Sequence, residues 1–208
     1  MRKATALFGC MALFATMAAS ADDDQGSSRT LKGSYAFSAS ASCVFSSATL
    51  GPVYIPPLGF TPNFVPIGHA SANSFSSNGV LTFNGDGTGS STGRTITIGD
   101  PDPGDSGATN GIDNSSNFTY TVADDGTFTF AQGPITSTFV AGPRVGIQTS
   151  TTGVPPAVGH VSRDKKTLVF GSFDPAVEST TRLDLGVVES VRICHRSNTA
   201  VRIDGGDS

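Results

Sequence analysis

Two cysteines, Cys43 and Cys194, constrain the fold of this chain more than any other pair of residues. The third, Cys10, lies in an N-terminal leader, whereas Cys43 follows closely on the first strand-like segment and Cys194 sits within the last strong one. An even number of cysteines in an exported chain predicts a disulfide, with two buried thiols as the alternative. A bridge needs Cα atoms within about 7 Å, so the first and last strands would have to be close neighbours. It would close a loop of about 150 residues, for which the chain-entropy model allows up to roughly 5 kcal/mol.

The export expectation comes from the leader. Arg2 and Lys3 supply a positive start, Ala4 to Ala18 form an apolar stretch, and Ala19-Ser20-Ala21 offers small residues for cleavage. The stretch falls short of the roughly 20 residues of a membrane helix, and Asp22-Asp23-Asp24 follows at once. Leu7-Phe8-Gly9-Cys10 matches a lipobox poorly, because Phe8 is too large and Cys10 comes early. The expected layout is a cleaved signal peptide over 1–21, a flexible acidic N-terminus over 22–30, one domain over 31–203 and a disordered tail over 204–208. Localisation is expected to be secreted or periplasmic, without stable membrane insertion. Cleavage removes two positive charges and makes the formal net charge of −4 more negative still, which disfavours nucleic acid and anionic lipid as partners.

No helical periodicity of useful length is present; period-two alternation takes its place. In the run from Phe118 to Phe130, the apolar residues share a face if Val122 opposes Phe128 and Tyr120 opposes Phe130. That register leaves Asp124-Asp125-Gly126 as a three-residue hairpin loop with glycine at the left-handed position. From Val158 to Phe170, a loop over 163–166 sets Val161 opposite Leu168 and Gly159 opposite Phe170, whose ring can cover the glycine. Val80 to Phe83 and Thr88 to Ile98 make a third, more weakly patterned pair. Further strands are expected over Leu31 to Ser40, Ile135 to Val140, Val187 to Cys194 and Thr199 to Ile203.

These segments give an all-β, antiparallel up-and-down meander of roughly 8–10 strands, or a sandwich. The cysteine pair favours closure of the meander into a single β-barrel, with a long Pro-rich loop after the first strand. Gly33-Ser34-Tyr35 in the opening strand, hairpins in meander order and Arg192, Arg196 and Arg202 near the terminal strand together resemble the calycin superfamily, the lipocalin-type barrels. The resemblance implies a small apolar ligand, and a barrel-closing stack of Tyr35 beneath Arg192 or Arg196. Tyrosine stands here where that superfamily carries tryptophan.

The segment from Val44 to Ser77 is the candidate ligand or partner loop. Its five prolines exclude a helix and a central strand, and its apolar residues include Tyr54, Ile55, Leu58, Phe60, Phe64 and Val65. It would either plug an open barrel end or act as a lid or docking surface.

Several catalytic patterns fail on inspection. Gly104-Asp105-Ser106-Gly107 looks like a serine-protease nucleophile loop, but His69 lies too close in sequence for the two barrels that such a triad needs. Asp100, Asp102 and Asp105 are spaced as in a calcium loop, yet Gly111 stands where a bidentate glutamate belongs. His69, His160 and His195 lack the spacing of paired metal ligands. Asn114 and Asn117 begin glycosylation patterns that matter only in a host that glycosylates exported proteins. No catalytic residue, cofactor or metal site is assigned. The expected function is an exported, non-enzymatic β-barrel that binds a small apolar ligand, or a protein partner through the 44–77 loop. The alternatives are a secreted enzyme using a barrel cavity, a purely structural envelope protein and, disfavoured by the polar strand faces, an outer-membrane barrel.

Overall fold

Inward apolar residues on alternate positions drive this chain into long strands. The computed structural model describes residues 30–47, 59–99, 109–172 and 174–203. Among them, thirteen strands follow in order: β1 Lys32–Ser47, β2 Gly59–Phe60, β3 Pro66–Ile67, β4 His69–Asn84, β5 Thr88–Gly99, β6 Asn110–Val122, β7 Thr127–Gln132, β8 Ile135–Ala141, β9 Gln148–Thr152, β10 Ala157–Val161, β11 Thr167–Gly171, β12 Glu178–Arg182 and β13 Val187–Arg202. β2 and β3 pair only with each other; the remaining strands form one antiparallel meander sheet.

The expected registers around the two tight hairpins are present. Val122 faces Phe128 and Tyr120 faces Phe130 across β6 and β7, and Gly126 holds a positive φ of 86° in the loop. Val161 faces Leu168 and Gly159 faces Phe170 across β10 and β11. These hairpins help to fill one end of the molecule with Tyr35, Phe83, Phe118, Tyr120, Phe128, Phe130 and Phe170, joined by Leu31, Leu81 and Leu168. Phe83 meets Tyr35 and Tyr120 edge-on, with ring centroids 5.1 and 4.9 Å away. Each such buried side chain contributes about 1.5–3 kcal/mol from burial alone.

The single closed barrel, and with it the calycin-like reading, is overturned. The pairing does return on itself, because β1 pairs with both β4 and β13. The ring of eight strands nevertheless does not close evenly into a barrel. β6 gives its Phe118–Val122 half to β7 and its Gly111–Ser115 half to β8. β13 likewise divides between β11, over Ser197–Val201, and β12, over Val187–Arg192. The return side is thus two short runs, β7–β10–β11 and β8–β9–β12, instead of one set of full-length strands. Register shifts at Gly111/Ile112 and Thr180/Thr181 break the stagger further. An even barrel needs strand number, tilt and stagger to agree all the way round.

Two boundaries also differ from expectation. The terminal region is one continuous strand, β13, with no turn between Cys194 and Thr199. The described residues of the proposed 44–77 loop are largely strand, since β1 runs on to Ser47 and β4 starts at His69. Between them, the described residues form the small β2–β3 hairpin. Its turn is closed by the Phe64 amide donating to the Thr61 carbonyl at 2.9 Å.

Candidate functional site

β1, β4, β5, β6 and β13 run past the aromatic core, and beyond it their inward side chains change character. Beside a few rings, Phe45, Phe75 and Phe139, come Ser77, Thr95, Thr97, Asn114 and Asn198, facing Ser137, Thr149, Thr151 and Thr180 from β8, β9 and β12. Such short polar side chains cannot fill the space between the walls. They leave a cavity of about 460 Å³. Many of its polar groups satisfy one another: Asn114 Nδ2 donates to Thr95 Oγ1 at 2.7 Å, Ser137 Oγ donates to Asn114 Oδ1 at 2.6 Å, and the Thr151 and Thr180 hydroxyls lie 3.0 Å apart. Paired in this way, the wall avoids the cost of stranding polar groups away from water.

A cluster of charge lies within this wall. Arg192, Cys194 and Arg196 occupy alternate positions on β13, so all three turn to the inner face, opposite Phe45, Cys43 and Ala41 of β1. Cys43 and Cys194 are disulfide-bonded. Glu178 of β12 lies across from Arg192 and is fully buried. Its Oε2 accepts from Arg192 Nε at 2.9 Å and from Arg196 Nη2 at 2.6 Å, while its Oε1 touches Arg196 Nη1. The Arg192 guanidinium also lies 5.7 and 5.3 Å from the ring centroids of Phe45 and Phe75. Burial lowers the pKa of Arg192; Glu178 opposes the shift and Arg196 adds to it. It still carries its charge at neutral pH.

Two guanidiniums around one carboxylate leave one positive charge uncompensated. Elsewhere in the lining, Arg144 Nη2 donates to both oxygens of Glu189, at 2.5 and 2.6 Å, and its guanidinium covers the Phe139 ring at 4.2 Å. That pair is balanced. Among the described residues the cavity wall therefore carries net positive charge, in a chain whose overall balance is negative.

The residues singled out from sequence fall in different places. Tyr35 is in the aromatic core, opposite Arg202, and its hydroxyl donates to the Lys165 carbonyl at 2.5 Å. Arg192 and Arg196 lie well along the strand from it, opposite Phe45 and Ala41, so neither stacks on Tyr35; Glu178 gathers these two arginines instead. Phe60 is half-buried in β2, and Phe64 and Val65 are exposed at the hairpin turn. Tyr54, Ile55 and Leu58 lie outside the described residues, as do Asp100, Asp102, Asp105 and Ser106. The hairpin is held to β1 through Ser46, whose hydroxyl donates to the Ile67 carbonyl at 2.5 Å and accepts from the Gly59 amide at 3.1 Å. Ser46 alternates with the inward Cys43 and Phe45, and none of the described residues of the hairpin lines the cavity. The reading of an apolar ligand in a barrel, gated by this loop, is corrected accordingly. His160 and His195 are exposed. Among the described residues no group of three His, Cys, Asp or Glu could hold a metal ion, and no helix is long and apolar enough to cross a membrane.

Sequence reasoning missed Glu178, Arg144 and Glu189. The alternation that turns Arg192 and Arg196 inward on either side of Cys194 signals that a carboxylate must meet them, but not which one.

No protein-family model matches this chain, and no curated protein matches it in sequence.

Proposed function

We propose that this chain is an exported binding protein that holds a small polar molecule in the cavity between β1, β4–β6 and β13 on one side and β8, β9 and β12 on the other. The observation that carries the reading is the change in the inner face, from packed aromatic rings at one end to open space at the other, walled by hydroxyls, amides and arginines with a few rings among them. A protein needing only stability would gain more from filling that space with apolar side chains, at about 0.8 kcal/mol per buried CH₂. A few convergent polar groups in a concave site are the usual mark of ligand recognition. Among the described residues the lining contains no histidine, and its acidic residue Glu189 is engaged by Arg144, which favours holding a ligand over general acid–base chemistry on it. Export is supported by the leader and by a disulfide suited to an oxidising compartment.

Native mass spectrometry of the protein purified from its own host tests this reading. The mature chain is expected to begin at Asp22 and to carry an added mass that denaturation releases. A clean apo mass, together with no thermal stabilisation across a panel of neutral and charged polar solutes, would overturn it.

A further inference from the structure

We infer that the cavity recognises its guest through an oxyanion, a carboxylate, sulfate or phosphate group, seated on the terminal Nη groups of Arg192. This inference rests on the cavity being a site for polar molecules and adds what that molecule must carry.

The geometry around Arg192 is that of a half-used fork. Its Nε is spent on Glu178, which fixes the guanidinium in place. The Nη groups make no hydrogen bond to any described residue, although Arg192 lines the cavity and only 15% of its side chain is exposed. Donors that open onto a cavity with only solvent to meet are available to a guest, and charge-assisted bonds to an oxyanion engage them about twice as strongly as neutral partners do. Arginine suits the task because its planar donors match carboxylate, sulfate and phosphate oxygens in pairs.

Charge points the same way. Glu178 cannot neutralise both arginines, and its two oxygens are already taken by them. Glu189, the carboxylate among the described lining residues, is spent on Arg144. Nothing among the described residues of the wall competes for Arg192, whereas a cationic guest would meet uncompensated positive charge. Phe45 and Phe75, whose rings stack with centroids 6.1 Å apart, limit access of water to the guanidinium and so strengthen its pull on an anion.

Isothermal titration of the full mature chain with sodium acetate, sodium sulfate and sodium phosphate, at ionic strength held constant with chloride, tests the inference. Acetate against the two tetrahedral anions separates a carboxylate site from a sulfate or phosphate site. At least one is expected to bind saturably, to weaken at least tenfold in Arg192→Gln, and to be unaffected in Arg94→Gln, an exposed arginine paired with Asp113 outside the cavity. Equal weakening in both variants, or none in Arg192→Gln, overturns the inference. Should Arg192→Gln lose its fold, the wild-type Arg192 Nε–Hε resonance serves instead: a saturable shift with the anion supports the site, and a static resonance rejects it. If a neutral sugar stabilises the wild type while none of the three anions binds, the oxyanion site is wrong but the polar cavity stands. If neither class binds, both fail.

Discussion

Cys43 and Cys194 stand directly opposite each other on β1 and β13, with Cα atoms 4.1 Å apart, and their disulfide faces the inner side of the sheet between Arg192 and Arg196. The bridge ties the first long strand to the last across 151 positions of sequence. Most of its stabilisation should come from restricting the unfolded chain. Replacing both cysteines by alanine is expected to lower the free energy of unfolding in urea by about 2–4 kcal/mol. A non-reducing peptide map should show the linked pair. A double variant as stable as wild type would mean that strand pairing alone supplies this constraint.

Gly159 and Phe170 form a second cross-strand pair, and here the glycine has a steric cause. A Cβ at position 159 would lie 2.0 Å from the Val169 carbonyl oxygen and 2.6 Å from Phe170 Cβ. Backbone on one side and a packed ring on the other leave no room to give. Gly159→Ala is therefore expected to destabilise by about 1–3 kcal/mol, read as a lowered urea midpoint. Trimming the ring in Phe170→Ala should not rescue it, because the carbonyl clash persists. Full rescue would show that the ring alone sets the requirement.

Asp86 gives the pH dependence of the β4–β5 turn a definite sign. Its Oδ1 accepts from the Thr88 hydroxyl at 2.6 Å and from the Thr88 amide at 2.9 Å, and these bonds hold its pKa below the ordinary 3.8. A carboxyl depressed in the folded state stabilises fully above its unfolded value and loses that contribution as pH falls through the folded one. An NMR titration should thus place the Asp86 midpoint below that of an unstructured aspartate, and Thr88→Ala should raise it. A midpoint that stays put in Thr88→Ala would remove the hydroxyl as the cause.

How much of this was readable in the sequence depended on what the inner face carries. Where it is apolar, as at Tyr120, Val122, Phe128, Phe130, Leu168 and Phe170, alternation against outward threonines fixed both register and loop. Where the inner face is itself polar, both faces look alike and the period disappears. β9 and β12, with Thr149, Thr151, Glu178 and Thr180 inward, left no trace for that reason. The run His195-Arg196-Ser197-Asn198 read as a turn, although Arg196 and Asn198 face the cavity from an unbroken strand. The disulfide correctly made β1 and β13 neighbours. It carried no information on how β6 and β13 divide their partners, so adjacency of the ends was mistaken for even closure. The candidate site lay in the stretches where the period was lost.

The Arg192–Glu178–Arg196 cluster should respond asymmetrically to loss of its members. Glu178→Gln leaves two sheltered guanidiniums facing each other with no counter-charge, and breaking a buried ion pair in this way typically costs about 3–5 kcal/mol. Arg196→Gln, by contrast, leaves Glu178 paired with Arg192 at 2.9 Å, a balanced pair, and is expected to cost about 1–3 kcal/mol for the bonds lost. The order matters more than the values: a merely structural pair network would lose comparably from either side, whereas a site with one spare positive charge tolerates losing a cation better than losing its anion. Equilibrium urea unfolding of the two variants reads this order directly. An oxyanion in the cavity should also supply part of the charge that Glu178→Gln removes, so the oxyanion salt that binds the wild type should raise the melting temperature of Glu178→Gln more than that of Arg196→Gln. If the arginine variant proves the less stable of the two, or if that salt helps both equally, the cluster does not carry the uncompensated charge assigned to it.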